Sequence, residues 1–229
     1  MVDTPDSRAS QSLGLEEAYS VKTPDDNRRL YAKWAATYES VFVATQKYRY
    51  PQAISEVFHN VITSADISSI VDIGTGTGLT GMYLSSLRPN LVIDGIDISP
   101  EMLTKAQDKK RQNGSSVYQL LLEQDMSKRA STPNSPYDAL ICSGTFTHGH
   151  LGPEAIDNLI ALVRPNGWCV IGVNNEHFEA REFDKKLNQL IETNKIADLQ
   201  ILKIQVYEPE STHYGDQARV LVFRIESDF

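Results

Sequence analysis

The 229-residue chain has few cysteines, no long hydrophobic run and no excess of positive charge. Its two cysteines, Cys142 and Cys169, both sit in apolar stretches that read as strands. That pattern does not suggest a secreted disulfide framework, and a reduced, cytoplasmic protein is expected. No apolar run approaches the ~20 residues a membrane helix needs, so no membrane association is expected. The opening stretch, MVDTPDSRASQSLGLEE, lacks the apolar core of a signal peptide. With 22 Lys and Arg against 30 Asp and Glu, the net charge is −8. That sign argues against gripping a phosphate backbone, so no nucleic-acid partner is expected. What is present, 41% hydrophobic and 23% charged residues, is ordinary for a globular chain and excludes disorder as the whole account. The length suits one α/β domain with an N-terminal appendage.

Three parts are expected along the chain. Residues 1–24 are polar and read as a flexible arm. Residues 25–62 are helical: Leu30, Trp34, Tyr38 and Val41 fall on one helix face, Pro51 interrupts, and Ala53, Ile54, Val57, Phe58 and Val61 form a second amphipathic run. Residues 63–229 alternate in kind. Strands are expected over 69–73, 91–97, 117–122, 137–142 and 167–173, and helices over 79–87, 99–112, 153–163 and 176–194. Ser99 with Pro100 reads as a cap opening the second of those helices. This alternation predicts a parallel, doubly wound sheet with helices on both faces. The last two β-rich stretches, 199–207 and 217–225, are separated only by EPESTHYGD. That gap is too short for a crossover helix, so these strands are expected to pair antiparallel.

The strongest chemical signal is the run from Val71 to Gly78, with Asp72, Gly74, Thr75, Gly76 and Gly78 in the order Asp-x-Gly-x-Gly-x-Gly. A strand that runs into glycines opening a helix lets a ligand lie against bare backbone and free N–H groups. Asp97 ends the next strand, where a carboxylate can accept hydrogen bonds from both ribose hydroxyls of an adenosine. Residues 76–81 also satisfy the dinucleotide fingerprint G-x-G-x-x-G, so a nicotinamide cofactor is a second reading. The full run resembles the first motif of the class I S-adenosylmethionine-dependent methyltransferases. The resemblance covers roughly residues 66–225. It implies a Rossmann-like doubly wound sheet of seven strands with an antiparallel last strand, S-adenosyl-L-methionine as cofactor and S-adenosyl-L-homocysteine as product.

The same resemblance assigns roles. Asp97 would hold the ribose, and Ile98 and Met102 would pack on the adenine. Asp125 would receive the adenine amino group, and Met126 would offer a backbone N–H. Ser143 and Gly144, after the fourth strand, would approach the sulfonium. The turn at 162–168 has Asn166 where the family usually has glycine, a residue that tolerates the same left-handed backbone. The segment Tyr31-Ala32-Lys33-Trp34-Ala35-Ala36-Thr37-Tyr38 is similar to one in the Williams–Beuren-region methyltransferase-like small methyltransferases. There it lids the cofactor, which implies that Tyr31 and Tyr38 reach its methionine end.

Other residues keep two readings. Asp72 either binds the cofactor ammonium or caps the glycine loop. Trp34 reads as a core residue, and Tyr38 suits either core or pocket. His148 and His150 read as general bases or as solvated loop residues, and no nearby ligand set makes them a metal site. Phe146, His148, Asn174, His177, His213 and Tyr214 are candidates for the acceptor rim. The expected activity is methyl transfer to O, N, S or C of a small molecule, by a monomer or homodimer. An NAD(P)-dependent oxidoreductase and a non-catalytic cofactor-binding protein are the rivals.

Overall fold

The computed structural model describes residues 21, 23–63, 67–129 and 131–226. The arm expected over residues 1–24 falls mostly outside them. Seven strands form one sheet: β1 (Ser69–Ile73), β2 (Val92–Asp97), β3 (Leu120–Glu123), β4 (Tyr137–Phe146), β5 (Val163–Asn174), β6 (Ile196–Gln205) and β7 (Gln217–Ile225). Their order is β3-β2-β1-β4-β5-β7-β6. β7 runs antiparallel to both β5 and β6, while β1 to β5 pair in parallel. This is the sheet that the sequence predicts, including its reversed end.

The middle strands are buried on both faces, which explains their nearly unbroken apolar sequences. One face packs under α6 (Ile156–Ile160), α7 (Asn175–Ala180) and α8 (Phe183–Glu192) through Ile156, Leu159, Phe178, Phe183 and Leu187. The other packs under α3 (Tyr50–Val61), α4 (Leu79–Leu87) and α5 (Pro100–Gln107) through Ile54, Phe58, Leu84 and Ala106. The N-terminal segment adds α1 (Pro24–Trp34), a π-helical turn over Tyr38–Val43 and the short α2 (Ala44–Gln46). Thr23 and Asp26 form a reciprocal capping box at the start of α1.

Several helices are shorter than expected, for local reasons. The helix expected over 176–194 breaks at Glu182, whose left-handed backbone (φ 53°) separates α7 from α8. The one expected over 153–163 is a 3-10 turn (Pro153–Ala155) followed by α6, because Leu162 O is recruited by Tyr137 N into the sheet. α5 stops at Gln107, and the chain turns back through a bridge between Lys110 and Ser116. The single helix face expected for Leu30, Trp34, Tyr38 and Val41 does not form. The wider π turn rotates Val41 outward, leaving it 53% exposed, while Phe42 turns inward. Asn166 adopts the left-handed backbone expected of it (φ 61°). Ser99 caps α5 by accepting a hydrogen bond from Met102 N.

Asp138 fastens three strands at their amino ends. Its Oδ2 accepts hydrogen bonds from the N–H and hydroxyl groups of Ser68 and Ser69, and its Oδ1 accepts from Arg164 Nε at 2.7 Å. Burial alone would push this carboxyl up, but Arg164 and the serines outweigh it and hold the pKa below the usual carboxylate range. Its folded pKa is depressed, so the contribution is present above the unfolded value near pH 4 and is lost as pH falls through the lower folded value. Asp138→Ala is expected to cost about 2–3 kcal/mol at neutral pH, with the gap to wild type closing in acid. Urea denaturation across pH measures both; a neutral-pH loss within about 0.5 kcal/mol would contradict the anchor.

Candidate active site

Ligand crevices in open α/β sheets form at the carboxyl ends of the strands, where neighbouring strands send their connections opposite ways. Here that point lies between β1 and β4. A cavity of about 260 Å³ opens there. One end is built by the loops after β1, β2 and β3, the other by those after β4, β5 and β6, and residues 27–50 form the remaining wall.

The glycine loop forms the floor of the first end. Gly74 N and Thr75 N donate to Ile96 O at 2.8 and 3.1 Å. Gly76 N donates to Asp97 Oδ2 at 2.7 Å, and Ser99 N donates to Asp97 Oδ1 at 2.9 Å. Gly74 has a positive φ of 67°, and a Cβ there would stand 1.8 Å from Thr145 Oγ1. A side chain at that position is therefore excluded twice over. Burial pushes the Asp97 carboxyl up against the opposing pull of the backbone N–H groups of Ser99, Gly76 and Ile98. Each Asp97 oxygen holds one of the two hydrogen bonds given above, which leaves acceptor capacity on both.

Of the sequence candidates, the cavity gathers Tyr31, Tyr38, Gly74, Gly76, Asp97, Ile98, Met102, Asp125, Met126 and Ser143. Phe146, His148, His150 and Asn174 also line it. Phe146 is fully buried and packs edge-on against Phe183, so it is chiefly a core ring. Asp125 already accepts from Ser127 N and Oγ. Burial opposes its ionisation, but Ser127 and Lys128 hold its pKa down. His150 stands edge-on to Tyr31 at 5.7 Å. Burial, with His177 and His148 nearby, pushes its pKa down to about 4, so the imidazole is neutral at neutral pH.

The other candidates do not line the cavity. Thr75 turns its hydroxyl to Asp72 O, and Gly78 caps α4. His177 is buried, with Nε2 2.9 Å from Leu151 O. His213 packs beside Tyr207, and Tyr214 is 54% exposed. Asp72 is fully buried, and its Oδ2 accepts from Tyr118 OH at 2.7 Å. That hydroxyl in turn accepts from Gly81 N at 3.1 Å. Gly81 is needed there because a Cβ would stand 2.3 Å from the hydroxyl. The last glycine of the dinucleotide fingerprint thus makes room for a tyrosine.

Sequence reasoning missed Asn27, Phe42, Tyr48, Tyr50, Tyr207 and Asp216, which all line the cavity. Phe42 is the hub of an aromatic wall: its ring stacks with Tyr38 at 5.2 Å and Trp34 at 5.8 Å and tilts against Tyr48 at 5.2 Å. Tyr48 continues the chain of rings to Tyr207 and Tyr50. One signal was available, since six aromatic residues fall between positions 31 and 50 against an average of 8%. Nothing local marks Tyr207 or Asp216.

Comparison with known proteins bears on the fold. Residues 71–169 match a family model described as a methyltransferase domain. A malonyl-[acyl-carrier protein] O-methyltransferase of Ilyobacter polytropus is 28% identical over 131 residues, 56% of this chain and 49% of the relative. The chain thus spans about half the length of that curated relative. Among solved structures, the plantazolicin methyltransferase BpumL in complex with SAH superposes with a TM-score of 0.56 at 14% identity, covering 94% of this chain and 97% of that one. Magnesium protoporphyrin IX methyltransferase from Synechocystis PCC 6803, with bound SAM, gives 0.54 at 16% identity over 77% and 79%. The fold is that of these methyltransferases. The match over residues 71–169 is to a methyltransferase domain, and S-adenosylmethionine is the cofactor that match implies.

The residues present suit that molecule. A bare glycine backbone and a carboxylate with spare acceptor capacity suit an adenosine, and Ile98 with Met102 gives an apolar flank. Three polar atoms of lining residues, Asn27 Oδ1, Tyr50 OH and Ser143 Oγ, are buried without a hydrogen-bond partner in the protein. Buried polar groups are rarely left so, and bound water or a polar ligand satisfies them.

Asp72 yields a test of the loop beneath the cavity. Burial raises its pKa from 3.8 to about 7; Tyr118 opposes the shift and Asp97 adds to it. Its folded pKa is raised, so the stabilisation is full below the unfolded value and fades as pH rises through about 7. Wild type is expected to lose up to roughly 4 kcal/mol of stability between pH 4 and 8 from this group. Asp72→Asn should flatten that slope in urea titrations; equal slopes would remove the shift.

Proposed function

We propose that the chain is an S-adenosylmethionine-dependent methyltransferase acting on a small-molecule acceptor at oxygen, nitrogen, sulfur or carbon. One observation carries the reading: a single cavity holds a glycine backbone with the Asp97 carboxylate at one end and an aromatic chamber at the other. The cofactor, when bound, supplies a methyl group on a sulfonium, already a good leaving group. What the protein must add is mostly alignment and exclusion of water.

In this reading Asp97 accepts from the ribose hydroxyls, and the Gly74–Gly76 backbone lies against the methionine half. Ile98 and Met102 flank the adenine, and Asp125 and Met126 offer it polar edges. Ser143 stands where the two ends of the cavity meet. The aromatic chamber keeps water from the reacting atoms. His148, exposed on the loop after β4, is the candidate proton acceptor where the nucleophile needs one. His150, with its low pKa, is a weak base and serves better as wall.

Residues 25–62 divide in this proposal. α3 belongs to the sheet packing, while the part up to Val43 covers the crevice as a lid. Arg28 Nε donates to Ile98 O at 3.2 Å, which holds α1 over the proposed adenosine site. That placement supports the likeness to the Williams–Beuren-region group. A malonyl group, named for the Ilyobacter relative, carries a carboxylate, and no Lys or Arg lines this cavity among the described residues. That acceptor is therefore not carried over.

Calorimetry with S-adenosylhomocysteine tests the reading. Wild type should bind, and Asp97→Ala should weaken binding by roughly 1–3 kcal/mol, as loss of hydrogen bonds to a charged group does. Unchanged affinity would refute the ribose assignment. Incubation with methyl-labelled cofactor and metabolite extracts tests turnover; tight binding with no transfer would favour a non-catalytic binding protein.

A further inference from the structure

The acceptor end of the cavity is unusual in its charge. Its rings come from Trp34, Tyr38, Phe42, Tyr48 and Tyr207, drawn from the N-terminal segment and the loop after β6. None of the described lining residues is Lys or Arg; Asp216 is the acidic residue on the acceptor side, while Asp97 and Asp125 belong to the cofactor end. Nearby cations are already paired: Lys109 with Glu39 at 2.6 Å, Arg49 with Glu56 and Glu208, and Lys128 with Asp125 at the cofactor end.

Resting on the methyltransferase reading, we propose that this chamber selects a planar aromatic acceptor that carries no negative charge, and rejects carboxylates and phosphates. Ring faces set at differing angles give a flat apolar molecule offset and edge-on contacts. An anion placed there would lose its hydration and find no Lys or Arg in the wall, and the half-exposed Asp216 at the rim, beside His213, would repel it. An unpaired buried charge is among the costliest things a site can accept, so the rejection is built in. Burial holds the phenols of Tyr38, Tyr48 and Tyr50 well above their ordinary pKa, so they stay neutral and offer hydrogen-bond donors rather than charge. A hydroxyl or amine on the acceptor ring can meet those donors with its lone pairs.

The test uses two probes of one shape. 2-Naphthol is neutral at pH 7, and 2-naphthoate is the same ring bearing a carboxylate. Each is titrated into the full-length protein with and without S-adenosylhomocysteine. 2-Naphthol is expected to bind roughly tenfold or more tightly than 2-naphthoate. Phe42→Arg, which sets a cation at the centre of the wall, is expected to reverse that order. Equal binding of the two, tighter binding of the naphthoate by wild type, or binding of neither overturns the proposal, as does an unchanged order in Phe42→Arg. Failure to bind S-adenosylhomocysteine defeats the methyltransferase reading instead, and the order of the two probes still decides the chamber's preference.

Discussion

The hydrogen bond from Gly76 N–H to Asp97 Oδ2, 2.7 Å long, couples the two groups on which the first half of the site depends. It joins the loop after β1 to the tip of β2, and the bonds from Gly74 N and Thr75 N to Ile96 O repeat the tie. The parallel register of β1 and β2 brings Ile73 opposite Ile96, so both loops leave the sheet at the same level. Ser99 N holds the other oxygen of Asp97 and connects it to the cap of α5. A bond to a carboxylate contributes about 1.5–3 kcal/mol, more than a neutral pair. The carboxylate and the bare backbone are thus spaced by the protein before any ligand arrives, which removes part of the ordering cost of binding.

The second half of the site has no such local origin. Its walls come from residues 34–50, 143–150 and 206–216, which meet only in the folded chain. Backbone bonds fasten two of them together: Arg49 N donates to Val206 O at 2.9 Å, and Glu208 N to Lys47 O at 3.0 Å. Tyr48 and Tyr207 sit opposite each other in the bridge between those bonds, which sets their rings 5.4 Å apart. A turn with a left-handed residue, Lys47 at φ 55°, frees the chain to enter this bridge before α3 begins. The aromatic wall is therefore a consequence of how the end of β6 captures the N-terminal segment.

This difference explains what was legible in the sequence. The glycine loop and Asp97 are written as backbone requirements at fixed spacing, and such requirements survive without tertiary context. The antiparallel end of the sheet was legible for a similar reason, because nine residues cannot hold a crossover helix. Val41 was misplaced, and Phe42 missed, because helical periodicity assumes 3.6 residues per turn and a π turn breaks that count. The break at Glu182 was hidden because a charged residue with positive φ carries no turn signature. Asp72 had two readings from its position alone. Tyr118 lies 46 residues away in sequence, and only folding shows that its hydroxyl takes the carboxylate.

The same contrast bears on access to the cavity. The floor rests chiefly on the ends of the buried middle strands, so opening there would cost core packing. α3 is fixed by Ile54 and Phe58, both wholly buried. The wall from α1 to α2 is held differently. α1 buries Leu30, and its C-cap Ala35 is buried too; its contacts with the domain include Arg28 to Ile98 O and Glu123, Asn27 Nδ2 to Gly149 O and Tyr31 against His150. The π turn is pinned by Glu39 to Lys109 and has no fully buried residue of its own. Polar contacts with one side in water contribute about 0.2–1 kcal/mol each, against about 2–5 kcal/mol for a buried large apolar side chain. Apart from its ring contacts to Tyr48, the segment that supplies Tyr38 and Phe42 is therefore held by weaker contacts than the floor. In the proposed enzyme Tyr38 and Phe42 thus stand on the wall held mainly by surface contacts, while the Asp97 end is fixed by the sheet.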